Sequence, residues 1–262
     1  MANDPSSKTT NALISIDTEI LSLIYKDLAS PGVKKVGQAL ATVFDLGNML
    51  LLPLKLKSAR AKALFESQME QYCAQLEKIP AEKVVEVAPE IGVPILEKLG
   101  KTTNKVLSDL YINLLTNASN IDRVANTHPR FVSIIESLTP DEVKILESVR
   151  GKHVPFFDLY FKSTPTATTG LHLGRRATKF DTNEVLIMPD NAKLYFQNLE
   201  GLSLLYAETR PLTEQEYEEP INALKARYAK SNANLTGTYV DASRGYYAMT
   251  SFGLSFYFAC QP

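Results

Sequence analysis

HPRFVSIIESLTPDEVKIL, residues 128–146, is the stretch on which the fold turns. Phe131, Ile134, Ile135 and Leu138 recur at helical spacing, which predicts a short helix over 129–138. A second helix then begins with the signals of a capping box. Thr139 stands at the N-cap, Pro140 at the first helical position and Glu142 at the third. Asp141 and Glu142 fall where the helix dipole favours negative charge, so neither needs a catalytic role. A general acid and general base must flank a substrate, whereas neighbours on a first turn point to different faces. His128 precedes Pro129 in a turn, with no Cys or second His at ligand spacing, and His153 and His172 lie far off. The expectation is a structural or surface role for His128. The segment reads as two helices and a cap, not an active site.

Upstream the pattern is helical. Residues 1–11 are polar and expected to be disordered. Leu13, Ile16, Ile20, Leu23, Ile24 and Leu28 predict a helix over 12–29, and Ser30-Pro31 suits the start of another. VGQALATVFDLGNMLLLPLKL, residues 36–56, is the most apolar run, interrupted by Gln38, Asp45 and Asn48. Lys34, Lys35, Lys55 and Lys57 flank it, so it suits either a buried bundle helix kinked near Pro53 or a helix lying on an anionic surface. Lys34, Lys35, Asp45, Leu50, Lys55 and Lys57 are therefore candidate membrane or partner contacts. Asp45, a lone acid in that run, is a functional candidate if the protein acts on membranes. A long helix over 54–78 follows, then short ones near 81–87 and 90–99, divided by Pro80, Pro89 and Pro94, and another over 103–117. Residues 12–127 are expected to be an all-helical, bundle-like region.

Downstream of the helix over 141–150 the composition shifts. Residues 154–179 are rich in Thr, Gly and Pro with short aromatic bursts, which favours loops and short strands. The pattern predicts a strand at 185–188 and a helix at 191–200 capped by Asp190. That helix would bury Leu194, Tyr195 (or Phe196) and Leu199. LSLLYAE predicts a strand, 212–230 a helix with Thr213 and Glu216 as a capping box, and GTYVDASRGYYAMT a hairpin turning at DASRG. Thr250 is placed to cap a last short helix. The fold class is thus mainly α with a small α+β C-terminal part, and residues 128–262 read as a winged-helix-like module. Such modules often bind DNA, but the candidate reading helix carries only Lys193 and the wing only Arg244. Arg175, Arg176 and Lys179 form a small basic cluster outside them. These five are candidate nucleic-acid or partner contacts, with a protein partner favoured over DNA.

The whole chain sets bounds. Of its 262 residues, 45% are hydrophobic and 22% charged, which fits a globular protein, and a formal net charge of -1 gives no general affinity for nucleic acid. Cys73 and Cys260 make neither a disulfide framework nor a zinc site and suit a reducing compartment. The N-terminus lacks the order of a signal peptide. No phosphate loop, dinucleotide fingerprint, HExxH, CxxC or nucleophile elbow occurs, so no catalytic, cofactor or metal residue is assigned and no cofactor is expected.

Several stretches resemble the Abi-alpha family, a bacterial family of unknown biochemical function named for abortive-infection phage defence. They are residues 24–55, 79–99 and, above all, 109–146, with weaker matches at NLEGLSLL and MTSFGLSFYFAC. Family positions Pro31, Gly37, Pro53, His128, Pro129 and Pro140 match here. The resemblance implies a bacterial cytoplasmic protein, free or membrane-proximal, in or near phage defence, and carries over no catalytic residue. Three functions follow as expectations: a non-enzymatic defence protein acting by protein–protein contact or self-association, a membrane-associating effector using residues 36–56, and a DNA-binding regulator.

Overall fold

The computed structural model describes residues 31–43, 59–164, 166–168, 170–181, 185–209, 214–231 and 239–262. The expected helix over 12–29, most of the apolar run 44–56 with Asp45, Leu50, Lys55 and Lys57, and the Thr213 cap lie outside these residues. The described chain is mainly helical with one small antiparallel sheet, and it forms two compact units. One comprises the residues up to Leu138 together with Phe258–Pro262, the other Thr139–Tyr257.

The first unit is built from α1 (Pro31–Ala39), α2 (Ala59–Glu77), α3 (Pro89–Leu99), α4 (Lys105–Ala118) and α5 (Arg130–Glu136). Helix α1 packs on α2, α2 on α4, α3 on α4, and α4 on α5. Val36, Leu40 and Val43 lie on one helical face and are buried, so this part of the apolar run is core. Asn104 caps α4 by accepting from Val106 N and Leu107 N at 3.0 and 3.3 Å. Where a short helix was expected over 81–87 there is a single 3-10 turn, Ala81–Lys83, and the chain then extends. Val84 bridges Asn120, and Val85 N donates to Ser119 O at 2.9 Å, so this backbone pairs across the unit rather than with itself. Pro94 does not divide the region but sits inside α3. At the far end of the chain, Asn113 Nδ2 donates to Cys260 O at 3.0 Å, and Asn117 Nδ2 to Gln261 O at 2.9 Å.

The second unit opens with α6 (Pro140–Val149), followed by β1 (Val154–Lys162), β2 (Leu171–Thr178), α7 (Ala192–Gly201), β3 (Leu205–Glu208), α8 (Glu214–Ser231), β4 (Tyr239–Met249) and α9 (Ser251–Ala259), whose last two residues belong to the first unit. The predicted capping box is present. Glu142 N donates to Thr139 Oγ1 at 3.3 Å and Thr139 N to Glu142 Oε2 at 2.6 Å. Thr250 Oγ1 accepts from Gly253 N at 2.8 Å at the start of α9, as its position in the sequence suggested.

The sheet order is β2-β1-β4-β3, all antiparallel. The hairpin expected at 237–250 is instead one continuous strand, β4, paired to β1 from Tyr239 to Tyr247 and to β3 from Tyr246 to Met249. The glycine read as a turn residue has a packing role. A Cβ on Gly245 would lie 2.3 Å from Phe156 Cζ and 2.7 Å from Glu208 O, a space that only glycine fits. Side chains alternate across the sheet. Phe157 and Leu159 face α8, where they join Ala177, Tyr217, Ile221 and Leu224 in one buried cluster. Phe156 turns the other way and meets Tyr247 at 5.0 Å between ring centroids, and Tyr247 stacks on Phe196 of α7 at 4.2 Å.

Three local expectations around α7 need correction. Residues 185–188 form turns rather than a strand, because the N–H groups of Ile187 and Met188 are taken by the Asp141 carboxylate, at 2.9 Å each, and not by a ladder. Asp190 does not cap α7. It lies in a 3-10 turn, Pro189–Asn191, and Asn191 occupies the N-cap without a side-chain bond. Leu194 is 61% exposed, whereas Tyr195, Phe196 and Leu199 are buried as expected.

Candidate functional site

The second unit contains a cleft of about 640 Å³ lined by Asp158, Tyr160, Arg175, Arg176, Lys193, Gln197 and Glu200. Two elements build it. From α7 come Lys193, Gln197 and Glu200, spaced four and three apart and so on one face. From the β1–β2 pair come the other four. Asp158 and Tyr160 share the sheet face of Phe156, as the strand period requires.

The two arginines are consecutive, and in a regular strand they would point to opposite faces. The register explains why both reach the cleft. Phe157 pairs with Ala177 and Leu159 with Gly174, so Asp158 alone stands opposite Arg175 and Arg176. This is a β-bulge, and Arg176 within it has a positive φ of 50°. Asp158 Oδ1 holds it there by accepting from Arg176 N at 2.8 Å.

The charges divide into committed and uncommitted. Arg176 Nη1 donates to Glu200 Oε2 at 2.6 Å, and its guanidinium lies 5.5 and 5.9 Å from the Phe156 and Tyr247 ring centroids. Burial works against its charge, but Tyr247, Glu200 and Asp158 outweigh burial and raise its pKa above the ordinary value. Burial also pushes the Tyr247 hydroxyl up to about 12, despite the neighbouring Arg176. Arg176 is therefore part of the wall. Arg175 and Lys193 are exposed and have no ion-pair partner among the described residues.

Of the five basic residues singled out from the sequence, the fold brings Arg175, Arg176 and Lys193 together. Lys179 instead lies 5.4 Å from the Phe180 ring, and Arg244 projects to the α8 face, 5.2 Å from the Tyr217 ring. Asp158, Tyr160, Gln197 and Glu200 were missed. A lone acid in the apolar burst FFDLYF, and the spacing of Lys193, Gln197 and Glu200, were the available signals. In the first unit Lys34 is exposed, while Lys35 donates to Leu76 O at 3.3 Å, Glu77 O at 3.4 Å and Ile79 O. An ammonium there satisfies orphan carbonyls at the C-terminal end of α2.

Asp141 does more than favour a helix start. It is 3% exposed, and besides Ile187 and Met188 it accepts from Tyr195 Oη and Lys144 Nζ, both at 3.4 Å. Glu142 Oε1 also accepts from Asn198 Nδ2 at 2.7 Å. His128 is exposed, and its Nδ1 accepts from Arg130 N at 3.0 Å. Among the described residues no group of three His, Cys, Asp or Glu could hold a metal ion, and no helix is long and apolar enough to cross a membrane.

The fold and cleft define a mainly helical protein whose α+β unit presents a polar, cation-bearing recess. A model of the family described as abortive infection alpha matches residues 57–260, and the chain belongs to that family. No curated protein matches it. A solved structure, of an uncharacterized protein from the hydrocarbon-degrading marine bacterium Alcanivorax borkumensis SK2, is similar at 21% identity and a TM-score of 0.32. The match covers 49% of this chain and 90% of that one. At that TM-score the likeness carries no argument.

Proposed function

We propose that this chain serves abortive infection as a binding protein that contacts a protein partner through residues 185–188 and the adjoining start of α7. Family membership supports the abortive-infection role. The contact rests on one observation. Ile187, Met188 and Leu194 are 68%, 58% and 61% exposed, while the backbone of the first two is fixed by the buried Asp141. Large apolar side chains held on an ordered surface segment lower the ordering cost of binding.

The alternatives have less behind them. Membrane contact through residues 36–56 loses Val36, Leu40 and Val43 to the core. DNA contact would rest on Arg175 and Lys193, too few cations to hold a phosphate backbone. The winged-helix description of residues 128–262 belongs to this reading only in the coarse sense of helices feeding a small sheet.

The test is phage infection of cells carrying the wild type or an Ile187→Ser/Met188→Ser variant. Protection is expected to be lost in the variant at an unchanged thermal midpoint. Full protection by a folded variant would sink the proposal.

A further inference from the structure

The cleft holds more positive charge than its own carboxylates use. Against Asp158 and Glu200 stand Arg175, Arg176 and Lys193, a net positive charge of one; Arg176 is paired to Glu200, and Arg175 and Lys193 have no ion-pair partner among the described residues. Bringing Arg175 and Arg176 to one face requires the bulge and a non-glycine residue at φ 50°, a conformation that costs of the order of 1 kcal/mol.

We propose that this cleft binds a phosphorylated small molecule of about nucleotide size, with its phosphate on Arg175 and Lys193. The volume of about 640 Å³ lies within the range of small-molecule sites and exceeds what a bare anion fills. The lining also offers more than cations. Gln197 both donates and accepts, and Asp158 and Glu200 accept, so hydroxyl or amino groups of the same ligand find partners. The Tyr160 ring is fixed edge-on against His172 at 4.8 Å, which gives the wall a rigid aromatic body. Arg175 supplies a planar fork suited to phosphate, and Lys193 a mobile point charge. Nucleic acid fits worse, because two uncommitted cations beside two carboxylates release few counterions.

The experiment is titration calorimetry of the full chain with AMP, GMP, CMP, UMP and ribose 5-phosphate. The parent nucleosides, inorganic phosphate and a short single-stranded oligonucleotide serve as comparisons. At least one phosphorylated compound is expected to bind with Kd below about 1 mM, and its phosphate-free parent at least about tenfold more weakly. Arg175→Gln/Lys193→Gln should weaken binding at least about tenfold at an unchanged thermal midpoint, and Lys179→Gln should leave it unaltered. No binding by any of the five compounds at about 5 mM would overturn the proposal, as would undiminished binding by the double variant. Oligonucleotide binding tighter than every mononucleotide would overturn it in favour of a nucleic-acid groove. None of these outcomes bears on the Ile187–Met188 surface, which has its own test.

Discussion

Asn117 Nδ2 donates to the main-chain carbonyl of Ala259 at 2.9 Å, across a sequence separation of 142 residues. The same nitrogen serves Gln261 O, and Asn117 Oδ1 accepts from Arg123 Nη1 at 3.0 Å, so one buried amide uses both ends. Asn117→Ala strands these partners in a buried setting and should cost about 2–3 kcal/mol. The check is a urea titration followed by a probe in the first unit. A loss within error of zero would mean that these bonds are replaced by water.

Asp141 gives a pH-dependent prediction. Burial raises its pKa, but the N–H groups of Ile187 and Met188 and the Lys144 ammonium outweigh burial, and the net shift is below the ordinary 3.8. A carboxylate lowered in the folded state stabilises fully above its unfolded pKa and loses that contribution as pH falls through the folded one. The wild type should therefore exceed Asp141→Asn in stability by about 2 kcal/mol near neutrality. The gap should close below about pH 4. Thermal melts of both proteins from acid to neutral pH decide this. A constant gap would remove the charge from the explanation.

Ser203 follows α7 at φ 62°, where a side chain is strained. Ser203→Gly should stabilise by about 0.5–1 kcal/mol. The nearby Gly201 is the last helical residue, and a Cβ there would meet nothing within 4 Å. Gly201→Ala should be neutral or stabilising, and chemical denaturation of the two variants compares them directly.

Gly245→Ala should destabilise by about 2 kcal/mol or more, since the added carbon meets the Glu208 carbonyl as well as a ring. Backbone cannot step aside as a side chain can. Loss of the β3–β4 pairing, read by amide exchange at Leu205–Glu208, is the accompanying signature.

Leu40→Glu places a charge at a position with no exposure. It should unfold the first unit rather than produce a folded protein that has lost lipid binding. A folded Leu40→Glu protein with altered liposome association would restore the membrane reading of the apolar run.

Local signals were legible in the sequence where the partner was also local. The Thr139–Glu142 box, the Thr250 cap and the helices α2 to α6 rest on residues within a turn of one another, and each was readable. What failed depended on distant groups. Val185–Met188 has strand-like composition, but a carboxylate more than forty residues away takes its N–H groups. DASRG has turn composition, yet β1 and β3 hold it straight between them. The cleft was half legible. Arg175, Arg176 and Lys193 stood out as cations, but only the bulge opposite Asp158 brings them to one face.

The placing of β4 has a consequence for synthesis. It is the last strand in the chain, yet it lies between β1 and β3, so the sheet cannot close until residue 249 has emerged from the ribosome. The first unit waits too, since Asn113 and Asn117 close on carbonyls of residues 259–261. Neither unit has all of its residues until the chain beyond residue 239 has been made. In a nascent chain arrested at residue 238 both units should be more protease-sensitive than in the full chain.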